Sequence, residues 1–373
     1  MKNHAGEAAR ATAGSADRAR LTMIALTQAW PRPSHPRPIV VIGSGSIVQA
    51  AHLPAYRRLD YPVAGIFDIR RDVAAHTAAA FGVEHVYDTL EEACAVRGAV
   101  FDVAVPGDQT LAVLERLPAG ATVLIQKPMG KDLAEARRIR ACVHSRGLTT
   151  AVNLQLRFSP GMMALRDLVD RGALGALVDI DVRIVIDQPW HLWPFLERVP
   201  RLELPYHSIH YLDAIRWIAG EPAGAWCRAL THPALPALRD TRSTIVLDYG
   251  DRIRCSLVLN HTHRADPTHR ASQLMVEGTT GAARLTWGVN LSYPTGPADT
   301  MDVTEHGAWH SVPLRGSWFT EAFEGPMSNL QRFAAGEDRE LVGSVDDAVR
   351  TMALVEACYA SSDTGGTPIP PVD

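Results

Sequence analysis

Short apolar runs alternate with amphipathic stretches through the first part of the chain. Ile39–Ile42 is a continuous apolar run that leads into Gly43-Ser44-Gly45 and then into residues that open a helix. Residues 61–68 form a second run closing on Asp68, and residues 70–82 read as a helix stopped by Gly82. A short strand and a helix follow over 84–95, a strand over 100–107 broken by Pro106-Gly107, and a helix over 110–120. Ala121–Pro128 is the next strand, residues 132–147 a helix, and residues 149–156 a further strand. Strands of four to eight residues separated by helical patterns predict a doubly wound parallel sheet.

After residue 158 the pattern changes period. In residues 177–187 Val178, Ile180, Val182, Ile184 and Ile186 point one way, and Asp179, Asp181 and Arg183 the other. Residues 243–260 and 272–287 read as strand pairs with glycine-containing turns, so this part predicts an antiparallel meander with one buried face. A last helix is expected over 344–362, with Ser344 as N-cap and Asp346 and Asp347 in its first turn. The fold class is therefore α/β, with a second, α+β domain carrying a mostly antiparallel, open-faced sheet.

The expected division is three-part. Residues 1–37 are a disordered Ala/Gly/Arg/Ser-rich start followed by an extended arm whose four prolines across 24–38 deny it helix and central-strand roles. Residues 38–158 form the parallel-sheet domain. Residues 159–365 form a substrate and oligomerisation domain, whose last helix is placed to pack back on the first. The start has no apolar segment of secretory type.

Composition narrows the function classes. A 373-residue chain that is 46% hydrophobic can bury a sizeable core. A net charge of −4 gives no electrostatic reason to expect nucleic acid or an anionic membrane as partner. No apolar run reaches the roughly 18–20 residues that span a bilayer. The five cysteines (Cys94, Cys142, Cys227, Cys255, Cys358) form no CxxC pair, which fits reduced core thiols in a cytoplasmic protein.

The order strand, Gly-x-Gly, helix, strand, acid is a dinucleotide fingerprint. Gly43 permits the tight turn, Gly45 lets a pyrophosphate approach the backbone, and the helix start supplies N–H groups. Asp68 stands 23 residues past Gly45, where its carboxylate can accept from a ribose 2′-hydroxyl. It favours NAD and would repel a 2′-phosphate, although Arg70 and Arg71 leave NADP open. Val48 occupies the third glycine position. The second unusual stretch is Ile125-Gln126-Lys127-Pro128, a buried strand ending in a lysine that a proline follows at once. Such a lysine sits at the carboxyl edge of the sheet, where open α/β sheets bind ligands.

Residues 41–59, 100–139, 153–160 and 207–222 together resemble the Gfo/Idh/MocA oxidoreductases, the relatives of glucose–fructose oxidoreductase and inositol dehydrogenase. The resemblance spans roughly residues 38–365. It implies an N-terminal Rossmann domain, an open-faced C-terminal sheet, sugar, cyclitol or related polyol substrates, and homodimers or homotetramers made through that sheet. It places Gly43, Gly45, Ser46, Ile47, Asp68, Arg70, Pro106, Gln126 and Lys127 around the cofactor. The family's Glu-Lys-Pro corresponds to Gln126-Lys127-Pro128, so Lys127 inherits the catalytic lysine role, and His210 matches the family histidine. Tyr206 stands where an acid is usual, with His207 beside it, and Thr110 stands where a histidine is frequent.

Oxidising a secondary alcohol needs a base for the hydroxyl proton while hydride leaves carbon. Lys127, partly desolvated at the strand edge, is the expected base, and a neutral Gln126 should let it lose its proton at lower pH than a glutamate neighbour would. His207 and His210, three apart at a helix start, are expected to be neutral and to assist, with Asp213 fixing the His210 tautomer. Arg157, Trp190, Tyr206 and His207 are the expected substrate contacts: Arg157 because Asn153, Gln155 and Arg157 alternate along one strand, and Trp190 because aromatic faces stack on sugars. Trp193 and Phe195 lie in the same loop as Trp190. His261, His263 and His269 lack carboxylate partners in the sequence, so no metal site is expected. The expected activity is thus NAD(P)-dependent oxidation of a sugar or polyol hydroxyl. Two rivals are a redox-neutral enzyme that retains its NAD, oxidises transiently and then eliminates or epimerises, and a non-catalytic NAD-sensing regulator.

Overall fold

A computed structural model describes residues 26–305 and 307–371; the disorder expected over residues 1–22 lies outside them. The first sheet has five parallel strands, β1 (Ile39–Ile42), β2 (Val63–Phe67), β3 (Val100–Val103), β4 (Thr122–Ile125) and β5 (Thr149–Val152), in the order β2-β1-β3-β4-β5. Every residue of β1, β3 and β4 is buried, as expected of strands covered on both faces. Helices α1 (Leu53–Arg58), α2 (Arg71–Phe81), α3 (Leu90–Cys94), α4 (Thr110–Leu114) and α5 (Leu133–Ser145) make the connections. The chain leaves β1 towards β2 on one side and later enters β3 on the other, so the crevice for a ligand opens at the carboxyl ends of β1 and β3.

Beyond β5 the chain departs from the expected strand. The ladder with β4 runs only from Thr122↔Thr149 to Ile125↔Val152, and with no partner beyond Ile125 the backbone turns into a 3₁₀ segment over Gln155–Phe158. Asn153, Gln155 and Arg157 therefore do not share a strand face. Helix α6 (Pro160–Asp170) follows, started by Ser159, whose hydroxyl accepts from the Met162 N–H at 3.4 Å.

The second sheet has eight strands: β6 (Leu177–Val185), β7 (Gly224–Leu230), β8 (Arg242–Asp248), β9 (Arg254–Asn260), β10 (Ala271–Gly278), β11 (Gly281–Thr286), β12 (Thr300–Glu305) and β13 (Ala308–Val312). Their order is β13-β12-β11-β10-β6-β9-β8-β7, and all pairs are antiparallel except β6 with β9. The sheet is thus two meanders joined by one parallel pair rather than a single meander. Ile180, Val182, Ile184 and Ile186 face the core as the alternation requires. Val178 does not: Asp179 pairs with Glu277 and Leu177 with Gly278, so Val178 is the extra residue of a bulge and is 40% exposed.

Helix α7 (Ile209–Ala219) carries His210, α8 (Glu324–Ala334) packs on β4 and β5, and α9 (Val345–Thr364) ends the fold. Ser344 caps α9 by accepting from the Asp347 N–H at 3.3 Å. The helix lies against α5 of the first sheet, and against β7 and α7 of the second. One ionic cluster joins these parts. Arg157 gives two 2.6 Å bonds to Asp213 on α7 and a 2.6 Å pair to Asp347 on α9, while Arg216 reaches Asp347 at 3.0 Å. The arm over residues 26–38 is extended, with the Trp30 indole N–H donating to Asp338 at 2.7 Å and the Arg37 N–H to Gln331 at 2.7 Å. No helix among the described residues is long and apolar enough to cross a membrane.

Candidate active site

The dinucleotide turn is built by elimination of side chains. At Gly43, φ is +95° and an added Cβ would stand 2.4 Å from the Ala104 carbonyl oxygen, so only glycine lets β1 turn this tightly against the end of β3. At Gly45 an added Cβ would meet nothing within 4 Å, so the protein itself does not require glycine there. Space the fold does not use, next to a backbone bare of side chain, is what a pyrophosphate needs. Asp68 stands at the same turn, accepting from the Ser44 N–H at 2.8 Å and the Arg70 N–H at 2.9 Å. Arg71 is engaged with Asp88 at 2.6 Å, while Arg70 is exposed and Ser46, Ile47 and Pro106 line the same edge. Val48, at the third glycine position, is fully buried in a π-helical turn over Val48–His52.

That π turn delivers His52 to the underside of the site. Its Nδ1 lies 2.8 Å from Asp102 Oδ2, which also accepts from the Tyr56 hydroxyl at 2.8 Å. Its Nε2 is 3.0 Å from Gln126 Nε2 and 3.1 Å from Asn153 Nδ2. The Gln126 oxygen accepts from the Lys127 N–H at 2.7 Å, which fixes the amide orientation and makes Nε2 the donor towards His52. His52 therefore carries its proton on Nδ1 and accepts at Nε2. The Gln126 side chain is thus buried with both ends committed to protein groups.

Lys127 is joined to Pro128 by a cis peptide bond, and its Nζ donates to the Tyr206 carbonyl oxygen at 2.6 Å. Burial pulls its amine down from 10.5 to about 8. A second π turn, Leu204–Ser208, precedes α7 and presents Tyr206 and His207; His210 follows in the first turn of α7. Such turns recur at functional sites because they spread side chains that an α-helix would stack. Both imidazoles are held well below the ordinary histidine range, His210 by burial and then by Lys127, His207 by burial, then His261, His210 and Lys127. Lys127, His207 and His210 thus share one electrostatic environment. The His210 ring stands edge-on to Trp318 at 5.4 Å, and its Nδ1 is buried without a hydrogen-bonding partner.

Three expected roles change. Arg157 is buried by Asp213 and Asp347 and reaches no cleft, so it is a structural tie rather than a substrate contact, and Asp213, taken by Arg157 and Thr351, does not orient His210. Trp190 is also buried: its indole N–H donates to the His261 carbonyl at 3.1 Å, and its ring packs with Leu196, Leu202 and Leu238. The loop's more exposed aromatics are Phe195, edge-on to Tyr206 at 6.0 Å, and Trp193, which bonds Ser46 of the dinucleotide turn at 3.2 Å and packs on Tyr293. His261, fully buried, does have a carboxylate neighbour: its Nδ1 is 3.2 Å from Glu203 Oε1, and its Nε2 is 2.9 Å from His207 Nδ1. His52 and Glu203 are not singled out by the sequence, and His261 is singled out there only in a metal reading with His263 and His269. Glu203 is four residues before His207, which is a helical spacing, whereas His52 and His261 carry no local signal.

The comparisons with known proteins give the family. Residues 37–154 match the oxidoreductase family model with the NAD-binding Rossmann fold, and residues 162–284 match the GFO/IDH/MocA C-terminal domain. The chain belongs to the GFO/IDH/MocA oxidoreductase family and is an NAD-binding enzyme of the class acting on CH–OH groups. It is similar to D-apiose dehydrogenase of Paraburkholderia graminis, with 25% identity over 85% of each chain. It is likewise similar to inositol 2-dehydrogenase of Rhizobium meliloti, with 24% identity over 86% of this chain and 95% of that one. Among solved structures, an Agrobacterium radiobacter oxidoreductase in complex with NAD+, L-tartaric acid and magnesium superposes with a TM-score of 0.75. That likeness, at 20% identity over 89% of this chain and 98% of the other, is one of fold.

Proposed function

We propose that the protein oxidises a secondary hydroxyl of a sugar or related polyol, with Lys127 as general base and NAD as the preferred cofactor. The observation that carries this reading is Lys127 itself, an amine at the sheet edge drawn down to about 8 and facing two neutral histidines. The open backbone at Gly45, the Ser46 hydroxyl and the Asp68 carboxylate would hold the dinucleotide. When bound, its nicotinamide supplies the hydride acceptor. An amine near 8 is deprotonated in a useful fraction of molecules at neutral pH, so Lys127 can take the hydroxyl proton, and its bond to the Tyr206 carbonyl keeps it aimed. His210, buried with a free Nδ1, would orient the reacting hydroxyl, and Tyr206 and Phe195 would border the sugar. Arg71 being tied to Asp88 supports NAD over NADP.

The open face of the second sheet supports a homo-oligomer. Trp226 (61% exposed) pairs across strands with Val246, and Val258 lies beside them, an apolar strip of the kind a second copy covers. The redox-neutral alternative draws on Trp193, whose bond to Ser46 closes a loop over the dinucleotide turn and would slow nucleotide loss.

The deciding experiment follows NADH absorbance with added NAD and a panel of pentoses, hexoses and inositols, for the wild type and Lys127→Ala. A rise with one substrate class that the substitution abolishes supports the dehydrogenase. A flat trace with nucleotide released only on denaturation would favour the redox-neutral enzyme instead.

A further inference from the structure

Glu203, His261 and His207 meet in file through successive side-chain contacts. The Glu203 carboxyl meets His261 at Nδ1, 3.2 Å away, in an orientation short of a formed hydrogen bond. His261 meets His207 through its other nitrogen, Nε2, 2.9 Å from His207 Nδ1. The partly buried His207 ring keeps its own Nε2 across from that contact. Because His261 offers opposite ring nitrogens to its two neighbours, the three side chains are strung end to end. One donor atom of each residue also lies within 4.8 Å of the other two, so a metal ion is the competing occupant and metal content is part of the test below. Glu203 and His261 have no exposed surface at all. A buried carboxyl linked through two imidazoles to a catalytic pocket is an expensive arrangement for packing alone.

We propose that Glu203–His261–His207 is a buried proton store serving Lys127. This rests on the dehydrogenase reading above, in which one proton must be placed for each alcohol oxidised. Lys127 takes the hydroxyl proton and becomes an ammonium. One Nζ proton passes to His207 Nε2, directly or through a water or substrate hydroxyl. The His207 Nδ1 proton then moves to His261 Nε2, and the His261 Nδ1 proton to Glu203 Oε1. The balance is one proton from Lys127 to Glu203: the amine is restored, the carboxylate becomes a carboxylic acid, and neither imidazole ends charged. That last point matters because burial strongly disfavours imidazolium at both positions.

The surroundings suit a group that gains and loses a proton near neutrality. Burial raises Glu203 to about 8, opposed by the hydroxyls of Ser208 and Ser243, and Asp240 adds to the rise. Ser243 donates to Glu203 Oε2 at 3.1 Å and Ser208 to Oε1. Tyr211, Cys358 and Tyr359 face the same carboxyl, and the far end of the file faces His210 and Lys127. Burial draws the Lys127 amine down and the Glu203 carboxyl up, so the two approach each other in proton affinity; the transfer needs the ionised carboxyl and is therefore expected from about pH 8 upward, where the turnover measurement is made.

Two measurements on the full-length protein test this. The first uses no substrate: infrared difference spectra recorded across the neutral and alkaline range should show a carboxylic acid band titrating near 8 that Glu203→Gln removes. Ser243→Ala, which keeps the carboxyl and deletes one donor, should move the midpoint upward. A wild-type band that survives in Glu203→Gln, or no titrating band, overturns the store. So does one tightly held metal ion per chain in the purified protein. The second is the first turnover in weak buffer with a pH indicator. Wild-type NADH should appear before its proton reaches solution, whereas Glu203→Gln should release both together with kcat lowered about 10²-fold and KM little changed. Simultaneous release in the wild type would overturn the proposal. Absence of NADH in the wild type would count against the dehydrogenase reading, leaving the infrared titration to judge the file on its own.

Discussion

Lys127 makes a prediction about stability that is independent of any substrate. Its amine is drawn down from 10.5 to about 8 in the folded protein, and burial is the cause. The sign follows from linkage. The unfolded chain holds the Lys127 proton more tightly than the folded chain, so at neutral pH the buried ammonium opposes folding. That penalty fades as pH rises from about 8 through the unfolded value, and is gone near pH 11. At 1.36 kcal/mol per unit the shift corresponds to about 3 kcal/mol, or about 2 kcal/mol with allowance for the part of the side chain that solvent reaches. The bond to the Tyr206 carbonyl offsets part of this at every pH, at about 1 kcal/mol or somewhat more when charged. Replacing the amine by an isosteric apolar chain, Lys127→Met, should thus be inactive yet as stable as the wild type or more so at pH 7. Above pH 10 the order should reverse. The assay is urea unfolding of both proteins, nucleotide-free, at half-unit steps. The decisive quantity is the change in their difference between about pH 7 and pH 11, because the hydrogen-bond offset largely cancels from it. A difference that stays constant over that range would refute the depressed amine, and the general-base argument with it.

Other outcomes follow from particular contacts. Gly45→Ala should fold with a stability within about 0.5 kcal/mol of wild type yet bind NAD at least tenfold more weakly, whereas Gly43→Ala should lose both properties; thermal melts and nucleotide titrations separate the two. Arg157→Met strips the partner from buried Asp213 and should cost about 3–5 kcal/mol in urea unfolding while leaving KM for the substrate close to wild type. Trp226→Ser should lower the molar mass seen by sedimentation without changing NAD affinity.

The parallel sheet and the dinucleotide turn were legible because their determinants are local. An apolar run, two glycines and an acid at fixed spacing fix a backbone path wherever they occur. Lys127 was legible for the same reason, since Pro128 marks the end of its strand. The error at residues 153–157 arose because a strand persists only while a partner does, and β4 stops at Ile125. Arg157 and Trp190 look like ligand contacts by residue type. What assigns them to the interior is the company they keep, Asp213 and Asp347 for one and the His261 carbonyl for the other, all far away in sequence. His52 was hidden by its π turn, whose wider spacing removes it from an α-helical face, and Glu203 because the partner it meets, His261, lies far away in sequence. Glu203 pairs with Ser208 five residues on, the spacing of a π turn.

The Arg157–Asp213–Asp347–Arg216 cluster has a consequence for how this enzyme can evolve. It ties the exit of β5 to the helix bearing His210 and to the C-terminal helix, so the lysine and the histidine come from pieces of chain that cannot slide past one another. On the proposed reading, discrimination among polyols then comes from a rigid template and not from a hinge that closes on the right guest. The aromatic loop at 188–206 lies largely outside that tie. Drift in its side chains can re-tailor which alcohol is admitted while the proton chemistry beneath it is inherited unchanged.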